Sequence, residues 1–528
     1  MSNVDHIIKI RQRLKYAWIP FFSRFGKLTP VQVETIPKIL GGVNVIVASQ
    51  TASGKTEAVV APIAERFVSE RWSGLAVLYV VPTRALANDT LARIEGPLRD
   101  MGITTVLKHG DKPYLSGNLP NCLITTPESL DSLICRRPKI FATLHAVILD
   151  EIHLLDNTYR GDQLRLLLHR LKKVVADASF SVHLLSATLS EPYQVAQRYS
   201  ENYELINVKG QREINCCLLE SHKDVFHLVR AQKWKKLLYF CNKRESVETI
   251  AAELAKLWHP YPVVAHHGSL NRQVREEAEK IMKETDVAVC VATSTLEIGI
   301  DIGDIDLVVL AEPPWSISAL LQRIGRGNRR AEIIQAVGIV SCDEEKSLME
   351  TMFNTAKTSA LPPELYEPDL SVAVQQIFSL LYQYRNGIRE TELIELLLPL
   401  CSPNEVKLIL GHLRDKSWIE YRMGYWCAST RLMDMGEKGR IHSNIPDSKT
   451  YKVIDTDSGS EIGTIAGLFD ETFMLARRTW KVVSVVGNII NVRRFKGEAN
   501  SAIFKRQRNV GAFHYLLPPQ LKHERHEC

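Results

Sequence analysis

Uninterrupted apolar runs of a few residues recur along the first two thirds of the chain, separated by stretches whose apolar positions return every three or four residues. VNVIVA (43–48), LAVLYVVP (75–82), CLITT (122–126), AVILDE (146–151) and SVHLLSAT (181–188) form a first set. Short β-rich runs without polar alternation predict strands buried on both faces, hence a parallel sheet covered by helices. KLLYFCN (236–242), VVAHHG (263–268), VAVCVATS (287–294), IDLVVLAE (305–312) and AVGIVSCD (336–343) repeat the pattern. Two consecutive α/β domains are expected, with a boundary near residues 200–212 and a nucleotide cleft shared between them.

Beyond the prolines of LPPELYEPD (361–369) the periodicity becomes helical, in DLSVAVQQIFSLLYQY and TELIELLL. Ser402, Pro403 and Glu405 form a capping box with proline at the first helical position, which fixes the next helix start. WIEYRMGYWCAS (418–429) reads as a hairpin turning at Gly424. Three helices and a hairpin in this span predict a winged helix. From about residue 445, GTIAGLF, WKVVSVV and NIINVRRF predict a small β-rich module.

A chain of 528 residues with 45% hydrophobic content can bury several cores. Lys and Arg exceed Asp and Glu by 66 to 60, which points only weakly to a polyanionic partner. The ten cysteines contain no CxxC pair, and the adjacent Cys216 and Cys217 cannot chelate one zinc in the usual way, so reduced thiols are expected. The N-terminal MSNVDHIIKIRQRLKYAW lacks a signal-peptide core, and no run reaches about 18 apolar residues. A cytoplasmic protein without a membrane partner is expected.

The chemistry is concentrated in two segments. SQTASGKT (49–56) lies between a strand-like and a helix-like run, where a phosphate-binding loop belongs. Helix N-terminal N–H groups there face phosphates, Lys55 reaches the β- and γ-phosphate oxygens, and the Thr56 hydroxyl can ligate Mg²⁺. Ser49 replaces the usual first glycine, while Gly54 keeps the backbone open beside Lys55. DEIH (150–153) closes a buried strand, placing Asp150 to hold the metal and Glu151 to orient and deprotonate water. His153 reads equally as an inert cleft histidine or as a link between the hydrolysis site and nucleic acid; His266 and His267 read as structural or backbone-contacting groups.

About ten motifs in order resemble the superfamily 2 helicases, and among them the large helicase-related (Lhr) group, across residues 16–500. LTPVQ (28–32) resembles the Q motif, which assigns Gln32 to adenine, although Leu28 stands where proline is common. SQTASGKT resembles motif I, which assigns Ser49, Gln50, Thr51, Ala52, Ser53, Gly54, Lys55 and Thr56 to ATP. PTRALA (82–87), HGD (109–111) and TTPESL (125–130) resemble backbone-gripping motifs, which assigns Thr83, Arg84, Thr126 and Pro127 to nucleic acid. SAT (186–188) resembles the coupling motif. FCNKR (240–244), HHGSL (266–270), ATSTLEIGIDIG (292–303) and QRIGRGNRR (322–330) resemble the second-domain set, with Thr293 on the strand and Gly299 and Asp301 on the nucleotide. LEIGIDIG together with the GD and TPESL pairing separates this pattern from the DEAD-box RNA helicases.

The resemblance implies two tandem RecA-like parallel-sheet domains (1–205 and 206–357), a winged helix (358–440) and a basic β-rich Lhr-type module (441–528). It implies an ATP- and Mg²⁺-dependent motor on single-stranded and tailed duplex DNA, moving 3′→5′; RNA or hybrid substrates, or translocation without strand separation, are the alternatives. Arg323, Arg326 and Arg329 recur every third residue in a segment expected to be helical, so Arg326 and Arg329 are finger candidates and Gln322 a candidate to hold water. A solvated basic helix is the plainer reading of the same run. Residues 477–508 carry nine Lys or Arg against one Glu, with Trp480, Phe495 and Phe504 interleaved. Arg493 and Arg494 are the candidate strand contacts there, unless the aromatics simply fill the module's own core.

Overall fold

A computed structural model of the chain describes residues 3–49, 53–110, 119–175, 179–187, 191–208, 213–297, 302–327, 333–358, 366–446, 450–466, 471–476, 478–495 and 510–522. The apolar runs become two parallel sheets. The first contains β1 (Asn44–Ser49), β2 (Val77–Val80), β3 (Thr105–Lys108), β4 (Cys122–Thr125), β5 (Ala146–Leu149), β6 (Ser181–Ser186) and β7 (Tyr203–Val208), in the order β3-β4-β2-β5-β6-β1-β7. The second contains β8 (Glu213–Leu219), β9 (Lys236–Phe240), β10 (Val263–His266), β11 (Ala288–Ala292), β12 (Leu307–Leu310) and β13 (Ile333–Ile339), in the order β10-β11-β9-β12-β13-β8. The central strands β2, β4, β5 and β11 are buried at every position, because helices cover both faces.

Helices Ser371–Gln383, Glu390–Leu397 and Pro403–Asp415 precede a hairpin of β14 (Ile419–Arg422) and β15 (Tyr425–Ala428), and helix Thr430–Glu437 follows. The capping box at Ser402 and Glu405 forms, and Met423 and Gly424 turn the hairpin with positive φ. A mixed sheet follows, with β16 (Thr450–Asp455), β17 (Glu461–Ala466), β18 (Thr472–Leu475), β19 (Arg478–Val486) and β20 (Ile489–Arg494) ordered β17-β16-β20-β19-β18.

The chain divides into two compact units, each made of separated stretches: Met1–Lys209 with Pro363–Asp447 and Arg508–Cys528, and Gly210–Pro362 with Ser448–Gln507. In the first unit the helices after residue 370 share one core with Cys135 and Leu166 of the first sheet's helices. Phe513, Leu516 and Leu517 complete that core. Gly511 admits the returning chain: a Cβ there would lie 2.2 Å from Asn444 Nδ2 and 2.3 Å from Ser371 Oγ, and its N–H donates to Asp369 Oδ2 at 3.0 Å.

A buried polar cluster joins the same parts. Asp131 is fully buried and accepts from Arg170 Nη1 (2.8 Å), Gln375 Nε2 (2.7 Å) and Ser379 Oγ (2.8 Å), while Arg170 also donates to Gln376 and Gln383. Elsewhere in this unit, buried Glu65 on the helix Lys55–Ser69 accepts three backbone N–H groups, from Lys15, Tyr16 and Ala17.

In the second unit, Phe473, Leu475, Trp480, Ile490 and Val492 of the mixed sheet share a core with Leu237, Tyr239 and Val289 of the parallel sheet. Leu270 bridges Gly463, Thr464 N–H donates to Ser269 O (2.7 Å), and Ala476 N–H donates to buried Glu248 (2.9 Å). A Cβ at Gly463 would stand 2.4 Å from Ser269 O, so only glycine allows this approach. Among the described residues, no helix is long and apolar enough to cross a membrane.

Candidate nucleotide and nucleic-acid sites

β1 ends at Ser49, and the helix Lys55–Ser69 opens from Gly54 in the left-handed region (φ 85°). Lys55 and Thr56 are buried in its first turn, and Lys55 Nζ donates to Ser49 O. The helix-entry turn at Thr29 is latched to this loop. Gln32 Oε1 accepts from Thr29 N (2.9 Å), its Nε2 donates to Gly54 O (3.4 Å), and Thr29 Oγ1 donates to Ser53 O (2.8 Å). The Gln32 amide, assigned to adenine by resemblance, thus also fixes the backbone beside Lys55. Gln50, Thr51 and Ala52 lie outside the described residues.

Asp150 follows β5, with Glu151 in the left-handed region (φ 45°). Asp150 Oδ2 accepts from the buried Tyr79 hydroxyl (2.6 Å) and Oδ1 from Glu151 N (2.9 Å). Burial and the Glu151 charge raise the Asp150 carboxyl above its ordinary range, with Tyr79 and the Lys55 ammonium pulling the other way. Burial and Asp150 in turn push the Tyr79 hydroxyl well up, and Thr56 hydrogen-bonds to the same hydroxyl. Lys55, Thr56, Tyr79 and Asp150 are therefore one cluster. Tyr79 escaped the sequence reading, although a tyrosine inside an aliphatic buried strand signals a hydroxyl that needs a partner.

A buried carboxylate beside a second acid favours a cation, and Thr56 supplies a hard oxygen next to it. The donor set fits Mg²⁺ of the kind held by one or two protein oxygens plus phosphate and water. Among the described residues no group of three or more His, Cys, Asp or Glu is placed to hold a metal.

His153 Nδ1 lies 3.1 Å from Ser186 Oγ and 3.4 Å from Ala187 N. The histidine joins the DEIH and SAT segments, with Glu151 Oε2 3.5 Å from the same nitrogen. Thr188 lies outside the described residues.

The candidate strand contacts of the first unit sit where helices begin after β2 and β4. Thr83 caps the helix Arg84–Asp100 through Leu86 N (3.2 Å), and exposed Arg84 reaches the HGD turn, where a Cβ on Gly110 would lie 2.6 Å from its Nη2. Thr126 precedes helix Pro127–Arg136 without a side-chain cap bond, and Glu128 in its first turn pairs with Arg160 (2.6 Å).

In the second unit Thr293 is buried after β11, and Arg244 Nη1 donates to Ser269 Oγ (3.0 Å). His267 accepts at Nδ1 from Ser269 N (3.3 Å) and donates from Nε2 to Glu248 (2.8 Å), while His266 bonds Thr295 and Glu279. Both are buried and hydrogen-bonded within the unit.

The arginine run differs from its helical expectation. Helix Ile317–Ile324 stops at Gly325, so Arg326 lies beyond it and shares no helix face with Arg323. Gly325 and Gly327, both poor helix formers, follow there without entering the left-handed region. Gln322 is buried; buried Arg323 donates to Glu297 (2.6 Å) and Asn242 (2.9 Å), and buried Arg326 donates to Glu297 O. Gly299, Asp301 and Arg329 lie outside the described residues. On β20, exposed Arg493 bonds Asp457 (3.1 Å) and stands opposite Lys481; exposed Arg494 stands opposite Trp480. Trp480 is buried with its Nε1 on Leu475 O (2.8 Å), so it fills the core and is no stacking surface. Phe495 is exposed, and Phe504 lies outside the described residues.

Two family models match this chain, DEAD/DEAH box helicase over residues 29–195 and Helicase conserved C-terminal domain over residues 220–331. The chain belongs to the superfamily 2 helicases, in their Lhr-like group. This helicase is similar to the ATP-dependent helicase Lhr-Core of Sulfolobus acidocaldarius, with 28% identity covering 90% of this chain and 61% of the relative. The structure of Mycobacterium smegmatis helicase Lhr bound to ssDNA and AMP-PNP is similar at a TM-score of 0.71 and 25% identity, covering 82% of this chain and 62% of that one. The DNA-bound DUF1998 helicase MrfA shares the fold, with a TM-score of 0.74 and 19% identity over 92% of this chain and 69% of that one. The chain spans about three fifths of the length of the first curated relatives it matches.

Proposed function

We propose that this helicase hydrolyses ATP to move along single-stranded nucleic acid, DNA in the 3′→5′ direction, and to unwind duplexes. The observation that carries this reading is the assembly of Lys55 and Thr56 with Tyr79-held Asp150, and Glu151 beside it. Lys55 compensates phosphate charge, and Thr56 and Asp150 would hold Mg²⁺, which neutralises charge on the transferring phosphoryl group when bound. Glu151 orients water and takes its proton. Gln322 and Arg326 are proposed to act on the transition state, with Arg326 supplying charge. His153, bonded to Ser186, relays the state of Glu151 to the strand-gripping segments.

Thr83, Arg84, Thr126, Pro127 and Thr293 are proposed as sequence-independent backbone contacts, and Arg493 and Arg494 as phosphate contacts of the mixed sheet. The helices and hairpin between residues 371 and 428 are read as a winged helix. The M. smegmatis Lhr structure, bound to ssDNA and AMP-PNP, supports both ligands.

The test is strand displacement on DNA, RNA and hybrid duplexes carrying either tail, with wild type and Lys55→Ala. ATP-dependent displacement from a 3′-tailed DNA duplex, lost in Lys55→Ala, is expected. Strand-stimulated hydrolysis without displacement would leave a translocase, and hydrolysis by Lys55→Ala near the wild-type rate would refute the site.

A further inference from the structure

Trp315 is 70% exposed. Among the described residues it is the one tryptophan in the exposed class; Trp72, Trp258, Trp418, Trp426 and Trp480 are buried and Trp18 and Trp234 are half-buried. Tryptophan is on average a highly buried residue, so a large indole held in water asks for a reason.

The local chain holds it there. Pro313 and Pro314 fix the backbone before it, and Pro313 O accepts from Asn242 Nδ2 (2.7 Å). Ser316 after it caps the helix Ile317–Ile324 through Ala319 N (3.1 Å). Trp315 is thus anchored on both sides, with its ring left outside.

It also stands at the functional edge of its sheet. Trp315 follows β12, whose neighbour β9 runs into Asn242, Lys243 and Arg244, and Thr293 follows β11 at the same end. Ligands of open parallel sheets bind at the carboxyl ends of strands. Lys243 there is exposed and Arg323 donates to Asn242 Oδ1 (2.9 Å), while the Glu312 carboxylate is occupied by Asn242 N (2.8 Å) and the Ser246 hydroxyl. An anionic strand would meet the exposed Lys243 ammonium beside an exposed aromatic face, whereas Arg323 is buried and paired with Glu297.

We propose that Trp315 is a stacking platform for one base of the bound single strand; this rests on the nucleic-acid reading above. The occupant is taken as a base because no other large hydrophobic side chain between residues 311 and 320 is exposed, and a single ring offers far less than the several hundred Å² that protein docking needs.

The experiment measures affinity of the full chain for a single-stranded DNA and for an abasic strand of equal length, with wild type, Trp315→Ala and Trp315→Phe. Trp315→Ala should weaken binding of the base-bearing strand by roughly 5- to 150-fold and leave the abasic strand unaffected. Trp315→Phe should retain most of the affinity. The slope of log affinity against log salt should not change, since every phosphate-binding cation is still in place. Equal losses on both strands, or no loss on either, would overturn the platform while leaving strand binding intact. Wild-type protein that binds neither strand would overturn the nucleic-acid reading itself.

Discussion

Asp131→Ala removes the centre of the buried cluster that joins the helix Pro127–Arg136 to the helix Ser371–Gln383. Asp131 and Arg170 are both buried, so the substitution leaves a guanidinium without its carboxylate in a low-dielectric interior. Breaking such a pair costs about 3–5 kcal/mol, more than an exposed pair by several fold. Local opening should therefore become easier, and native-state hydrogen exchange in peptides of Ser371–Gln383 should accelerate by about 10²–10³-fold or more. Removing Arg170 as well should add much less, because the two residues act as one unit.

The same cluster should also respond to pH. Burial raises the Asp131 carboxyl, but His442 and Arg170 beside it more than offset this and hold it below its ordinary value. A folded pKa below the unfolded one means that the contribution is complete above about pH 4 and is lost as the pH falls through the folded value. Acidification should release the same peptides, and Asp131→Asn should lack that step. Exchange unchanged within twofold in Asp131→Ala would show that the apolar cluster alone holds this helix, and would refute the reasoning.

Glu151→Gln should retain ATP while slowing single-turnover hydrolysis by roughly 10²–10⁴-fold; loss of nucleotide binding would make Glu151 a structural residue. Gly463→Ala drives a Cβ against Ser269 O and should destabilise the second unit by about 1–3 kcal/mol, seen as faster exchange in β17 and a lower melting temperature. An unchanged melting curve would mean that the two backbones separate freely there. Replacing Arg493 and Arg494 by Ala should weaken strand binding alike for all sequences and flatten the salt slope by about 0.7 for each phosphate left without its arginine, with basal hydrolysis intact; an unchanged slope would remove this surface from the strand path.

Strands buried on both faces were legible because burial imposes unbroken apolar runs, as in AVIL before Asp150. The strands β3, β7, β8, β16 and β18 were missed: β8, for one, alternates exposed and half-buried positions, and a seven-residue edge strand of that kind carries little periodic signal. The phosphate loop and acidic pair were legible because phosphate chemistry fixes residue type and spacing. Arg326 was misplaced on a helix because arginine spacing was weighed above the two glycines beside it. The buried role of Trp480 and the need for glycine at Gly463 depend on which distant backbone arrives opposite them, and no local pattern encodes that.

The division of each unit into separated stretches also dictates a schedule for synthesis. The first unit carries the phosphate loop near its start, yet Phe513, Leu516 and Leu517 of its core are translated roughly 300 residues after Lys209, an interval of about 15–60 s at 5–20 residues per second. During that interval the ribosome-bound chain holds a partly uncovered apolar surface at Cys135 and Leu166, and the whole of the second unit is made in the meantime. The unit begun first is therefore the last to close. A premature stop just before Gly511 would spare every helicase motif and still leave that first core open.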